Sequence, residues 1–384
     1  MVQKMVLGWI IVLIGLTGCS GLKNIQDLTY IVTIGMDYDE ENEEFTVYLQ
    51  GLNFANVAKQ EGAKPVEPVP IFVGSAKGET LNLAVRKLYK KSEPPLFFGH
   101  VETFVLSEEI VKHKFHEVIT ELGRNRSIRH TLRVFMTEDN IEDVLNVKAL
   151  FEYPAIYTVL FMKKNGELQD HELKPVHLMD FLRQYYEPMG TAKLPSVKVD
   201  TKSWKAEEAY PVLYLNKLAV FQQQKYVKSL PFEQALFLEW LLQEQISVDQ
   251  KVMMEDELVA ALKLKTPKMK ITYEKNKDSP IFSIVIDVQA DLLEMIKSKP
   301  IEELTKKVGE DLTKQFTEIY EEGLQNELDL FNLGEKWYRT HPKKYKKLKE
   351  EQNFYLTDES LKDIKVNVEL FHFNSYEYDR NHGF

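Results

Sequence analysis

The chain has 384 residues, of which 44% are hydrophobic and 11% aromatic, and its formal net charge at pH 7 is −10. This charge argues against nucleic acid as a partner, because proteins bind phosphate backbones through an excess of Lys and Arg. The apolar content is sufficient for packed cores, and the length predicts two or three domains.

A short apolar run near the N-terminus ends at the only cysteine of the chain. Lys4 supplies a basic start, residues 5–16 are mostly apolar, and Leu16-Thr17-Gly18-Cys19 closes the run. A membrane-spanning helix needs roughly 20 apolar residues, and this run is shorter. The pattern predicts a signal peptide over residues 1–18, cleaved between Gly18 and Cys19.

Cys19 is then predicted to be a lipid attachment site. It would carry an S-diacylglycerol and an N-acyl group, with residues 19–23 as the lipidated N-terminus and tether. Two or more acyl chains anchor a protein stably, whereas one binds only marginally. No thiol would remain for a disulfide or for catalysis. The alternative is an ordinary secreted protein with an isolated cysteine.

The first half of the mature chain predicts an α/β domain over residues 24–200. Residues 28–35 and 45–52 flank an acidic turn and predict a β-hairpin. Residues 55–70 are polar and rich in proline, which predicts a mobile insertion. The elements predicted next are a helix over 79–91, a strand over 101–106, a helix capped by Ser107, a strand over 132–136, a short helix capped by Thr137, and a helix over 177–186.

A second α/β domain is predicted over residues 205–384, after a polar connection at 198–210. Its predicted elements are a hairpin over 212–221 and 225–227, a helix over 232–244, strands over 271–274 and 281–292, helices over 301–326 and 334–351, and a strand over 364–373. A further division near residue 300 is left open. The predicted fold class is therefore α+β, with mixed strands and helices in two or three domains after a cleaved lipoprotein signal peptide.

The sequence carries no Walker, dinucleotide-binding, serine-hydrolase or zinc-protease motif, and we expect neither an enzyme nor a cofactor. His113 and His116 are spaced to share a metal on a helix. No carboxylate of clear ligand spacing completes that pair, so no metal site is predicted. Scattered catalytic groups of an envelope hydrolase would escape such a search.

Two basic clusters have both a structural and a functional interpretation. Arg124, Arg126 and Arg129 follow a predicted helix, where they either offset its dipole or bind an acidic segment of a partner. The lysines at 343–349 form either a solvated helix face or a contact to anionic lipid headgroups. Trp204, Trp240 and Trp337 are interpreted as core or interface anchors rather than as a sugar-binding platform.

Several short motifs occur in a fixed order along the chain. They are Ile25-Gln26-Asp27-Leu28, Ile34-Gly35-Met36-Asp37, Gly99-His100-Val101-Glu102, Ser107-Glu108-Glu109, Leu194-Pro195-Ser196, Leu218-Ala219-Val220-Phe221, and Asp329-Leu330-Phe331-Asn332-Leu333-Gly334 followed by His341-Pro342. With Cys19 before them, the chain resembles the Ger(x)C family, the lipoprotein C subunits of nutrient germinant receptors in endospore-forming bacteria. Ser20 and Gly21 depart from the Trp-Asp pair that usually follows the cysteine in that family.

The resemblance implies a lipid-anchored C subunit on the outer face of the spore's inner membrane, needed for nutrient-triggered germination. Its partners would be integral-membrane A and B subunits, with no nucleic acid and no cofactor. Only Cys19 carries over as a functional residue. The alternative function is that of a solute-binding lipoprotein of a transport system, which would show two related lobes.

Overall fold

The computed structural model describes residues 28–52, 70–124, 128–162, 173–243, 246–274, 277–351 and 354–373. The predicted signal peptide, Gly18, Cys19 and the tether lie outside these ranges, as do Arg126 and all but the last residue of the 55–70 insertion. The cleavage, the lipid attachment and the mobility of the insertion therefore stay predictions.

The first sheet contains ten strands in the described residues. They are β1 Thr29–Asp39, β2 Glu44–Leu52, β3 Phe72–Gly78, β4 Leu96–Phe97, β5 Thr103–Ser107, β6 Arg133–Thr137, β7 Val176–His177, β8 Thr191–Asp200, β9 Val212–Gln222 and β10 Lys225–Pro231. The main order is β10-β9-β8-β6-β5-β1-β2-β3, with β4 beside β1 and β7 beside β6. Strands β1, β5, β6 and β8 run parallel, so they all begin at the same end of the sheet.

The second sheet contains five strands in the described residues. They are β11 Val248–Met254, β12 Glu257–Leu264, β13 Lys268–Tyr273, β14 Phe282–Met295 and β15 Leu361–Phe373. The long strand β14 pairs with β12 and β13 on one side and runs parallel to β15 on the other. The mixture of two sheets and helices confirms the α+β fold class.

Eight α-helices connect and cover these sheets in the described residues. They are α1 Leu81–Tyr89, α2 Phe115–Arg124, α3 Ile141–Asn146, α4 Leu178–Tyr186, α5 Phe232–Leu242, α6 Ile301–Gln325, α7 Leu333–Thr340 and α8 Pro342–Glu351. A helical stretch begins at Glu108 and continues through a π-helical segment, Ile110–Lys114, into α2. Ser107 precedes it, and its side chain accepts a hydrogen bond from the Ile110 N–H at 3.2 Å, as predicted for a cap. None of these helices is both long and apolar enough to cross a membrane.

Two local predictions are wrong for identifiable reasons. The cap of α3 is Asn140, whose side chain accepts from the N–H of Glu142 at 2.8 Å, while the Thr137 hydroxyl accepts from Asp139 in the preceding turn. The helix predicted over 334–351 is divided into α7 and α8 at His341. Pro342 has no N–H and disfavours helical backbone at the residue before it, so the first helix ends there.

The two sheets share one hydrophobic core. The same cluster of buried side chains includes Phe135 from β6, Trp240 from α5 and Phe282 from β14. Helix α5 packs against β9 of the first sheet and β11 of the second. A second cluster fills the other face of the first sheet, under α1, α2 and α4.

The domain boundary predicted at 198–210 falls on the connection between β8 and β9. These two strands pair from Thr191 opposite Gln222 to Asp200 opposite Val212, within the first sheet. A chain division at this connection would therefore separate two hydrogen-bonded strands, and the division into domains stays a prediction.

Candidate functional site

A buried carboxylate, that of Asp329, gathers hydrogen bonds where the two halves of the chain meet. Asp329 is 1% exposed. One carboxylate oxygen accepts from the N–H of Leu333 at 2.9 Å, and the other accepts from the N–H of Gly334 at 2.6 Å and the hydroxyl of Tyr355 at 2.7 Å. The carboxylate thus binds the first turn of α7 and ties it to the segment before β15.

The backbone of Asp329 extends these contacts to the first sheet. The Thr191 hydroxyl on β8 lies 2.8 Å from the Asp329 carbonyl oxygen and 2.6 Å from the Gln222 side-chain oxygen on β9. The Asp329 N–H donates to the same Gln222 oxygen at 3.4 Å. We call Asp329, Tyr355, Thr191 and Gln222 the Asp329 lock, because together they join β8, β9, α7 and the segment before β15.

The local sequence explains why the chain can form this lock. Asn332 has φ of 53°, a left-handed conformation that Asn tolerates better than most residues. A Cβ at Gly334 would lie 2.0 Å from a ring carbon of Tyr355, so only glycine allows the tyrosine to reach Asp329. Phe331 is buried and stacks on Phe316 of α6 at 4.1 Å between ring centroids. The Asp329-to-Gly334 motif is therefore used for folding.

The electrostatics of the lock are those of a low-dielectric site. Burial raises the pKa of the Asp329 carboxyl, while the bonds from Gly334 and Tyr355 and the charge of Lys193 act in the opposite direction. Burial lowers the pKa of the Lys193 ammonium, and the carboxylates of Glu239 and Asp329 favour its charged form. Because the Asp329 oxygens are engaged internally, the arrangement stabilises the fold and offers no open acid or base for catalysis.

A cavity of about 190 Å³ opens at the edge where β5 and β6 begin. It is lined by residues 99–102, the Gly-His-Val-Glu motif, and by Arg129 and residues 131–133. Arg133 is 7% exposed, and its guanidinium lies 3.4 Å from the Glu102 carboxylate. The Arg133 N–H also donates to the Glu102 carbonyl oxygen at 2.8 Å, so this motif holds β5 against β6.

Two of the three arginines after α2, Arg124 and Arg129, lie in the described residues. Arg124 forms an ion pair with Glu121 on its own helix, and Arg129 lines the cavity. Of the pair His113 and His116, His113 has two carboxylate neighbours: its ring lies 3.6 Å from Glu109 and 3.9 Å from Glu40.

Sequence reasoning missed this small group because Glu40 belongs to the β1–β2 turn, far from His113 along the chain. The ligand atoms of Glu40, Glu109 and His113 lie within 4.8 Å of one another. The two glutamates and the histidine are exposed or half-buried, and such surface pairs contribute little.

The lysine-rich face on α8 is partly used inside the molecule. Lys344 donates to the carbonyl oxygen of Lys277 at 2.6 Å and lies 3.6 Å from the Asp278 carboxylate. The tryptophans behave as predicted for core anchors in two cases, since Trp240 is 0% and Trp337 2% exposed. Trp204 is 51% exposed.

Family models of two consecutive domains match the chain. The first, described as the spore germination protein N-terminal domain, matches residues 21–199, and the second, described as spore germination B3/GerAC like, C-terminal, matches residues 216–372. Together they cover most of the chain. Neither description names an enzyme.

Similar proteins extend over nearly the same length. The chain is 21% identical to "Spore germination protein KC" of Bacillus subtilis (strain 168), over 95% of each chain, and 24% identical to "Spore germination protein GerQC" of Bacillus cereus, over 93% of this chain and 97% of that one. The fold is similar to that in the "Crystal Structure of the GerBC protein", with a TM-score of 0.52 and 14% identity over 91% of this chain and 100% of that chain.

Proposed function

The chain belongs to the Ger(x)C family of spore germination proteins, and on this premise we propose that it is the lipid-anchored C subunit of a nutrient germinant receptor. The observation that carries the proposal is the match of both family domains in order, directly after the Leu16-to-Cys19 motif. In this role the protein is needed for nutrient-triggered germination and works with integral-membrane A and B subunits.

The proposed anchor is the acylated Cys19, and the folded body stands outside the bilayer. A tether confines the body to a thin layer above the membrane, which raises its effective concentration near membrane-bound partners. Modest contact areas then suffice for assembly. The location that follows is the outer face of the spore's inner membrane.

The Asp329 lock supports a role in assembly rather than catalysis. It ties β8 and β9 to α7 and to the segment before β15, so the two halves of the chain present their surfaces as one unit. A receptor scaffold needs such fixed geometry, because interfaces form best between pre-organised surfaces.

Co-purification from spore membranes tests the proposal. Tagged A subunit is isolated from spores that carry the wild-type chain, Cys19→Ala, or the matched control Ser20→Ala, which leaves the attachment site intact. We expect this chain to remain with the membrane and with the A subunit in the wild type and in Ser20→Ala, and to be lost from both in Cys19→Ala. A chain that is retained in the membrane yet never isolated with the A subunit contradicts the assembly role.

The solute-binding alternative predicts two related lobes. In the described residues the two sheets differ in strand order and in the pairing of their strands. A nutrient that binds only the folded protein would raise its melting temperature. A thermal-shift series with amino acids, sugars and nucleosides therefore separates the two functions, and a clear shift with one nutrient would favour the alternative.

A further inference from the structure

Aromatic side chains are exposed at the end of the first sheet where β1 begins. Phe72 is 62%, Tyr89 47% and Phe97 39% exposed. Two lysines, Lys90 and Lys91, follow α1 directly and are also exposed. Exposed aromatic side chains are usually scattered over the surface of a soluble protein. Several of them together with lysines at one end of a sheet indicate an interaction surface.

Backbone register places these residues at the same end of the sheet. In the row β4-β1-β2-β3, Phe97 pairs with Tyr30 and Phe72 pairs with Gly51. Neighbouring strands lie about 4.8 Å apart, so the backbones of Phe97 and Phe72 are separated by about 15 Å. We call Phe72, Tyr89, Lys90, Lys91 and Phe97 the Phe97 edge.

Helix α1 brings its C-terminal end to this edge. It follows β3 and runs back over it, because a Cβ built at Gly74 of β3 would lie 3.5 Å from Leu88. Tyr89 then contacts Phe98 at 5.7 Å between ring centroids. The end of the helix, with its two lysines, therefore lies at the same end of the sheet as Phe72 and Phe97, next to Phe98.

The described chain begins at the same place. The Thr29 N–H donates to the Pro95 carbonyl oxygen at 3.0 Å, one residue before β4. Ten peptide steps separate Cys19 from Thr29 in the sequence, a reach of at most about 35 Å. A lipid on Cys19 would therefore keep the Phe97 edge within about 35 Å of the headgroups.

The opposite end of β1 is acidic. Residues 37–44, at the β1–β2 turn, contain six carboxylates: Asp37, Asp39, Glu40, Glu41, Glu43 and Glu44. Strand β1 has 11 residues, which at about 3.4 Å each places this turn roughly 35 Å from the Phe97 edge. An anionic membrane would repel the acidic end and attract the lysines at the other.

We propose that the Phe97 edge rests on an anionic lipid surface, with the acidic β1–β2 turn directed away from it. Aromatic rings are favoured at the boundary between headgroups and acyl chains, and lysines beside them pair with anionic headgroups. The inference rests on the lipid anchor of the proposed function and deepens it, since it assigns which side of the body faces the bilayer. The other surfaces of the body would then be available for contacts with the A and B subunits.

Site-specific labelling tests this orientation. Cys19 is the only cysteine of the chain and is consumed by the anchor, so one added cysteine is labelled alone. The full chain carrying Phe97→Cys, or the matched control Asn42→Cys at the opposite end of β1, is labelled with a polarity-sensitive fluorophore. Each protein is reconstituted in phosphatidylglycerol–phosphatidylcholine vesicles with and without spin-labelled lipid.

We expect a blue shift and loss of emission with spin-labelled lipid for the label at 97, and neither change for the label at 42. Adding Lys90→Glu and Lys91→Glu to the chain labelled at 97 should weaken the quenching in these anionic vesicles. The quenching in neutral vesicles of phosphatidylcholine alone should not change. Equal quenching at 97 and 42, or quenching at 42 alone, overturns the orientation.

Two further outcomes separate this inference from the proposed function. If both proteins stay vesicle-bound while the label at 97 remains in water, the anchor stands and the orientation is refuted. Protection of that label only after A and B subunits are added shows that the edge binds protein instead. If neither protein stays with the vesicles, the lipid anchor itself has failed.

Discussion

Replacement of the buried carboxylate, Asp329→Asn, is the sharpest test of the Asp329 lock. The variant keeps the shape of the side chain and removes its charge. One amide oxygen can still accept from Gly334 and Tyr355, but the amide nitrogen then faces the N–H of Leu333, which now lies 2.9 Å from a carboxylate oxygen. Two donors would meet, and a buried N–H would lose its acceptor.

The magnitude follows from these contacts. A buried N–H left without a partner costs about 1–3 kcal/mol. The two surviving bonds become neutral and weaken from about 1.5–3 to about 0.5–1.5 kcal/mol each. Burial raises the pKa of Asp329 because it destabilises the charged carboxylate. The neutral amide of the variant does not bear this cost, which offsets part of the loss. We expect the free energy of unfolding to fall by about 2–4 kcal/mol.

Urea unfolding followed by tryptophan fluorescence measures this difference, because Trp240 and Trp337 are buried. Asp278→Asn is the matched control, since the Asp278 side chain is 93% exposed, and its effect should stay within about 0.5 kcal/mol. A double-mutant cycle with Tyr355→Phe should give a coupling energy of about 0.5–3 kcal/mol. Wild-type stability of Asp329→Asn, or additivity in the cycle, would refute the lock.

Three other variants test separate parts of the fold. Gly35→Ala should lower the unfolding free energy by about 1–3 kcal/mol, because the new Cβ would lie 2.4 Å from the Ile141 side chain. The control Gly123→Ala should not destabilise the protein, because its Cβ would meet no atom within 4 Å. The urea midpoints of the two variants measure the difference. Burial raises the pKa of Tyr185 to about 12, so the stability it contributes is complete below pH 10 and falls as pH rises towards 12. Tyr185→Phe should remove that part of the pH dependence, and an unchanged slope would contradict it. His113→Ala should change stability by less than about 0.5 kcal/mol, since its contacts with Glu40 and Glu109 are exposed.

Much of the secondary structure could be predicted because apolar residues recur at clear helix or strand spacing. The β1–β2 hairpin and α6 are confirmed examples. The hairpin of β11 and β12 was missed because β12, with the sequence ELVAALKL, is rich in leucine, alanine, glutamate and lysine, which favour helices more than strands.

The lock shows what sequence alone does not reveal. Its motif, residues 329–334, was visible as part of a family resemblance, but the roles of its residues were not. Thr191 and Gln222 lie 138 and 107 residues from Asp329 along the chain. Only the pairing of β8 with β9 brings them to the start of α7, and that pairing crosses the connection interpreted as a domain boundary.

The most direct test of the proposed function is nutrient-triggered dipicolinate release from spores whose single receptor operon carries this gene intact, deleted, or as Cys19→Ala. We predict that deletion and Cys19→Ala both abolish the nutrient response, and that release by non-nutrient triggers is preserved. A full nutrient response after deletion of the gene would contradict a role as a receptor subunit.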